Sequence, residues 1–183
     1  MSKARERILC ATKTLFYKQG YNATGINQVI EEADIAKSTL FQHFATKEDL
    51  CKHYLQQTSD DTISYLEQLL SGKGSEKTKI NKLYENLRND VINKEFRGCH
   101  FHNIISEISD KNEVLFPIVQ THKEKLRMIF HKIFEADTDK SFADFAFILF
   151  EGTLIQCQIQ QQQWPIDSAK QTMNKLLEER QKA

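Results

Sequence analysis

The chain has 183 residues, 40% of them hydrophobic, and its 25 Lys/Arg balance its 25 Asp/Glu to a formal net charge of zero. That balance argues against a protein that coats nucleic acid indiscriminately or lies flat on an anionic membrane. With 2 Pro and 6 Gly the chain also has too few turn-formers for an all-β architecture, so composition favours helices. Cys10, Cys51, Cys99 and Cys157 are far apart, without a CxxC pair, which disfavours a disulfide framework or structural zinc and predicts reduced thiols and no cofactor. The opening MSKARERILCATKTLF lacks an apolar segment of signal-peptide length. No later stretch reads as approaching the roughly 18 apolar residues of a membrane span, so the expectation is a cytoplasmic protein with no membrane partner.

From Ala4 to Gly20, apolar residues at Ile8, Leu9, Ala11, Leu15 and Phe16 build one helical stripe, and Gly20 stands where a C-terminal cap belongs. Ile26, Val29, Ile30 and Ala33 predict a short helix, followed at Asp34 by a residue that tolerates the left-handed conformation of a tight turn. A second short helix over Ala36–His43 sends Leu40 and Phe44 to one side. Thr46 then caps a long amphipathic helix from Lys47 towards Leu70, with Glu48 and Asp49 suited to its positive end. Ser71-Gly72-Lys73-Gly74-Ser75 is the clearest linker. Beyond it, helices are predicted over about 76–95, 99–109, 113–136, 141–162 and 166–181. Their separators are Arg97-Gly98, Asp110-Lys111-Asn112, Asp137-Thr138-Asp139 and Trp164-Pro165, and Pro117 fits only near a helix start. Nothing alternates as a strand, so the fold class is all-α with about nine helices.

Two short helices joined by a tight turn within residues 23–50 make a helix-turn-helix, which offers its second helix to the major groove. Removing the apolar Ile35, Leu40 and Phe44 from that helix leaves Lys37, Ser38, Thr39, Gln42 and His43, side chains able to meet base edges and phosphates. The segments RERILCATKTLFYKQGY, ADIAKSTLFQHF and TKEDL resemble the TetR family of bacterial regulators across residues 5–54. The resemblance implies a DNA-binding regulator, not an enzyme: a homodimeric repressor on a palindromic double-stranded operator, released by a small-molecule effector. It also implies that Lys37, Ser38 and Thr39 approach bases and backbone, that Phe41, Gln42 and His43 flank phosphates, and that Lys47 clamps another. Thr24, at the edge of the first short helix, is expected to hold a phosphate oxygen through its hydroxyl and neighbouring backbone N–H groups. The chain departs from the family at Gly25 (usually Ser or Thr), Phe41 (usually Tyr) and Asp34 (usually Gly), and each lost neutral hydrogen bond costs about 1 kcal/mol.

Function divides the sequence into a DNA-binding domain at 1–50 and a ligand-binding and dimerisation domain at 51–183. In the larger part RGCHFHNIISEIS is similar to an Arg-Gly-Cys motif of some family members, and the general plan implies a helical bundle around an effector pocket. Such pockets are mostly apolar with a few polar groups, which nominates Phe101, His102, Ile105, Phe116, His122, Phe147, Phe150, Gln156 and Gln160. Cys99 and His102 share a helical face but lack a third metal ligand, and an alternative enzyme built on Cys99, His100 and His102 lacks an ordered third partner. Phe142, Phe145, Ala146, Leu149, Thr153 and Gln156, with Met173, Leu176 and Leu177, give the last two helices several apolar faces, as a dimer contact requires.

Overall fold

A computed structural model describes residues 2–93, 95–135, 140–180 and 182, and among these the chain forms nine α-helices and no strand. They are α1 (Lys3–Gln19), α2 (Ile26–Glu32), α3 (Lys37–His43), α4 (Lys47–Leu70), α5 (Glu76–Ile92), α6 (His100–Ile105), α7 (Phe116–Ile133), α8 (Ser141–Gln160) and α9 (Trp164–Arg180). The separator expected at Asp137-Thr138-Asp139 lies outside the described residues. Backbone packing groups the chain into one unit of residues 1–61 with 100–122 and a second of 62–99 with 123–183. This grouping is by packing and differs from a division by function at residue 50.

In the first unit, the stripe read from the sequence is the core: Ile8, Leu9, Leu15 and Phe16 of α1 are buried together with Val29, Leu40, Phe44, Leu50, Tyr54 and Leu55. Phe16 meets Tyr21 and Tyr54 edge-on at 5.4 and 5.7 Å between ring centroids. Gly20 ends α1 at φ 98°, with its N–H donating to the Phe16 carbonyl. Phe101, Ile104, Leu115 and Val119 add a second buried layer. α6 is shorter than the predicted 99–109. After Ile105 the chain tightens: the Glu107 N–H donates three residues back to Ile104, and the Ser106 hydroxyl takes the Asn103 carbonyl, as short hydroxyl side chains do when they compete with a helix.

In the second unit Ile80, Leu83, Tyr84 and Leu87 of α5 pack with Ile129, Phe130 and Ile133 of α7, Ala143, Ala146 and Cys157 of α8, and Ile166, Met173 and Leu177 of α9. Lys77–Glu178, Arg88–Asp167 and Lys170–Glu85 pairs link α5 to α9 along its exposed edge. Two sequence expectations need correction here. Trp164-Pro165 does not separate helices but begins α9, since a proline in the first turn removes an N–H that has no helical acceptor anyway. α8, 20 residues long, does meet the length and composition of a membrane-crossing helix, contrary to the reading that no stretch comes near one. Its two carboxylates are both paired, Asp144 with Arg127 (2.7 Å) and His131 (2.6 Å), and Glu151 with Lys123 (2.5 Å).

Candidate nucleic-acid interface

The helix-turn-helix is built from short elements that cannot hold together alone, so its geometry depends on what lies beneath. α3 has 7 residues. Leu40 and Phe44 are wholly buried under it and fix its roll, which turns Lys37, Ser38, Phe41 and Gln42 to solvent and leaves Thr39 and His43 half-buried. Phe41 is 44% exposed, a large price for an aromatic ring in a free protein and an apolar surface suited to a sugar or a thymine methyl. The turn before α3 places Asp34 at φ 47°, the left-handed region expected from the sequence. Arg7 ties that turn down, donating to the Asp34 carbonyl at 2.6 Å and its carboxylate at 2.8 Å.

α2 begins at Gly25, which supplies no side-chain cap; instead the Gln28 amide oxygen reaches back to the Gly25 N–H at 2.7 Å. This is half of a capping box, and Gly followed three residues later by Gln is its readable trace. Thr24 behaves differently from the sequence expectation: it is 1% exposed and its hydroxyl donates inward to the Gly20 carbonyl at 2.7 Å. A phosphate grip through that hydroxyl is therefore corrected to a brace between the end of α1 and the start of α2. Thr46 caps α4 by accepting from the Asp49 N–H at 3.0 Å, while Asp49 accepts from the Ala45 N–H at 3.2 Å. His43 lies 3.3 Å from the Ser2 hydroxyl.

Lys47, at the first position of α4, folds over the Tyr21 ring with its ammonium 4.6 Å from the centroid and 3.4 Å from the Asn22 carbonyl. Burial lowers its pKa from the ordinary value, and Cys51 and Glu107 push the other way. The turn it covers is held from beneath by Glu107, whose two carboxylate oxygens accept the Tyr21 and Asn22 N–H groups at 3.1 and 2.6 Å. Sequence reasoning did not single out Glu107.

The residues nominated for an effector pocket divide between the two units. In the first, Phe101 stacks flat on His122 with centroids 3.5 Å apart, and His122 meets the Ser59 hydroxyl at 2.9 Å; His102, Ile105 and Phe116 are half-buried. In the second, Phe147 and Phe150 pack on Phe130 at 5.7 Å, and Phe150 also meets Tyr84 at 5.6 Å. Gln156 and Gln160 are exposed, not turned in with these rings. Among the described residues no group of three His, Cys, Asp or Glu could hold a metal ion. Cys99 lies 3.5 Å from the Lys123 ammonium, which Glu151 already pairs.

Comparison with known proteins agrees with this geometry. The family described as bacterial regulatory proteins, tetR family, matches residues 8–54. An uncharacterized HTH-type transcriptional regulator of Bacillus subtilis (strain 168), YvkB, is 30% identical over 133 residues, which is 68% of this chain and 70% of that one. Among solved structures, the reduced form of NemR from E. coli superposes with a TM-score of 0.85 at 19% identity, covering 93% of this chain and 95% of that one. A TetR-family transcriptional regulator from Streptomyces coelicolor gives 0.80 at 19% identity, covering 93% and 90%.

Proposed function

The chain belongs to the tetR family of bacterial regulatory proteins, and from that premise we propose that it is a cytoplasmic repressor that binds a palindromic operator as a homodimer and is released by a small-molecule effector. It is a DNA-binding transcriptional regulator, not an enzyme. The observation that carries the reading is the outward face of α3, where Lys37, Ser38, Phe41 and Gln42 stand in solvent over a fully buried Leu40 and Phe44. In this reading residues 1–50 read DNA. Lys37, Ser38 and Thr39 meet bases and backbone, Phe41, Gln42 and His43 flank phosphates, Lys47 clamps one, and Gly25 lets a phosphate approach the start of α2.

Dimerisation is supported by α8, on which Phe145, Ile148, Gly152, Ile155 and Ile159 follow one another at alternating spacings of three and four, the four apolar side chains exposed and Gly152 open at the centre. A second copy of the same helix covers such a stripe with two-fold symmetry, and two α8–α9 pairs then make a four-helix interface. The effector is assigned to residues 51–183, and the aromatic group of Phe130, Phe147 and Phe150 supports an apolar ligand. Tyr84, fully buried beside Phe150, is the polar group suited to anchor it. The test is a gel shift of double-stranded DNA from the region upstream of the chain's own gene. A salt-sensitive shift supports the reading, and no shift of any such fragment even at low salt rejects it.

A further inference from the structure

We propose that Glu107, outside the helix-turn-helix and outside residues 8–54, is a positioning residue for DNA binding. It acts by clipping the turn between α1 and α2 into the conformation that α2 and Lys47 need; the inference rests on the DNA-binding reading above.

Glu107 meets the turn Gly20–Asn22 through three hydrogen bonds. One carboxylate oxygen accepts the Tyr21 N–H at 3.1 Å, the other accepts the Asn22 N–H at 2.6 Å, and the Asn22 side-chain amide donates to the Glu107 carbonyl at 3.0 Å. Consecutive backbone N–H groups converging on one carboxylate form an anion-holding nest, in which charge strengthens each bond. The carboxylate lies directly against the backbone of the turn. A Cβ on Gly20 would stand 2.5 Å from the nearer carboxylate oxygen, and the backbone there already takes φ 98°. Gly20 is thus required for its conformation, and a side chain there would also push the Glu107 carboxylate out of its place against the turn.

The same turn carries the DNA-facing parts forward. Its Gly20 carbonyl takes the Thr24 hydroxyl, which sets the entry to α2, and its Asn22 carbonyl takes the Lys47 ammonium, which also lies over the Tyr21 ring. A turn freed from Glu107 would leave two amides without their carboxylate and release both the start of α2 and the perch of Lys47. Because α3 has only 7 residues and leans on α2, a small change of α2 is a change of the reading helix.

The experiment uses the full chain, with Glu107→Gln keeping the size and removing the charge and one acceptor, and Glu107→Ala removing the clip. Affinity is measured for the double-stranded fragment that the wild type selects from a random-sequence pool. The amide resonances of Tyr21 and Asn22 are followed in the free protein, and melting temperature and mass report fold and assembly. Both variants are expected to lose about tenfold or more in affinity, as for one charge-assisted hydrogen bond, with amide shifts concentrated at Tyr21, Asn22 and α2 and with unchanged mass. Binding within about twofold of wild type in both variants overturns the proposal. So does a loss of affinity with the Tyr21 and Asn22 amides unmoved, or one that merely follows a collapse of melting temperature in both variants. A wild type that selects no fragment fails the DNA-binding reading itself, a result distinct from any difference between the variants.

Discussion

Replacing His100 by Gln should remove a loss of stability that this protein otherwise shows between pH 7.5 and pH 5. The His100 imidazole lies under the Tyr17 ring at 4.3 Å and its Nδ1 meets the Tyr54 hydroxyl at 2.5 Å. Burial pushes its pKa down from the ordinary 6.5 to about 4, and the nearby Lys13 charge adds to the shift. The folded protein therefore holds this ring neutral through a range where the unfolded chain protonates it. Between about pH 6.5 and 4 the unfolded state binds the extra proton, so stability falls as pH falls and levels off below about 4. At about 1.4 kcal/mol per pH unit the ceiling is about 3 kcal/mol, and about 2 kcal/mol is lost by pH 5. The ring keeps an edge to solvent, which reduces the expectation at pH 5 to about 1–2 kcal/mol. Gln can still hydrogen-bond Tyr54 but cannot titrate. Urea unfolding followed by far-UV circular dichroism at pH 7.5 and pH 5, for wild type and His100→Gln, isolates the term, because contributions such as that of Asp90, whose carboxyl burial raises, cancel in the difference. An equal loss of stability on acidification in both proteins would refute the reasoning.

Lys37→Ala should weaken specific operator binding by about 1–3 kcal/mol in fluorescence anisotropy and leave the dimer intact; unchanged affinity would remove α3 as the reading helix. The two lysines assigned to DNA, Lys37 and Lys47, make four per dimer, so the slope of log K against log salt should be about −4 on B-DNA. A slope near zero would show that they do not neutralise phosphates. Gly20→Ala should cost about 1–3 kcal/mol in urea unfolding, since it meets both a left-handed φ and the Glu107 carboxylate; a stability gain would contradict the geometry of that turn. Ile148→Asp, in the middle of the exposed α8 stripe, should shift the mass in light scattering from dimer to monomer while helicity persists, and a dimer unaffected by it would place the interface elsewhere.

The parts of the fold that were legible are those with local causes. Gly20 marks the end of α1 because one residue must reverse the chain there, and Leu40 with Phe44 sets the roll of α3 because four residues return a helix to the same side. What escaped has causes far away in sequence. Asn22 and Glu107 are 85 residues apart, and no window of the sequence contains both ends of their contact. Thr24 misled for a different reason: a hydroxyl at a helix boundary can bond forward to a phosphate or backward to a carbonyl, and only the closeness of Gly20 decides for the second. Residue type alone places Gln156 and Gln160 in a pocket, yet both are exposed, because a helix as apolar as α8 does not declare from its sequence which of its sides faces in.

The inward hydroxyl of Thr24 also changes how the departures at Gly25 and Phe41 should be weighed. Each removes a hydroxyl that could hold a phosphate, and Thr24 cannot replace either, because its own is committed to Gly20. In the proposed function the phosphate grip at the start of α2 then depends on charge and on backbone N–H groups, leaving Ser38 and Thr39 as the hydroxyls on α3. Lys47 is a cation held at the turn, over the Tyr21 ring and at the Asn22 carbonyl. A proximal ammonium can be placed only as well as the turn beneath it is placed. That gives the Glu107 carboxylate a reason to be there: a protein with fewer hydroxyls on its DNA face gains more from fixing the backbone and the lysine that remain. Preorganisation of few contacts substitutes for a larger number of adaptable ones, since each group already in place costs less ordering when DNA binds.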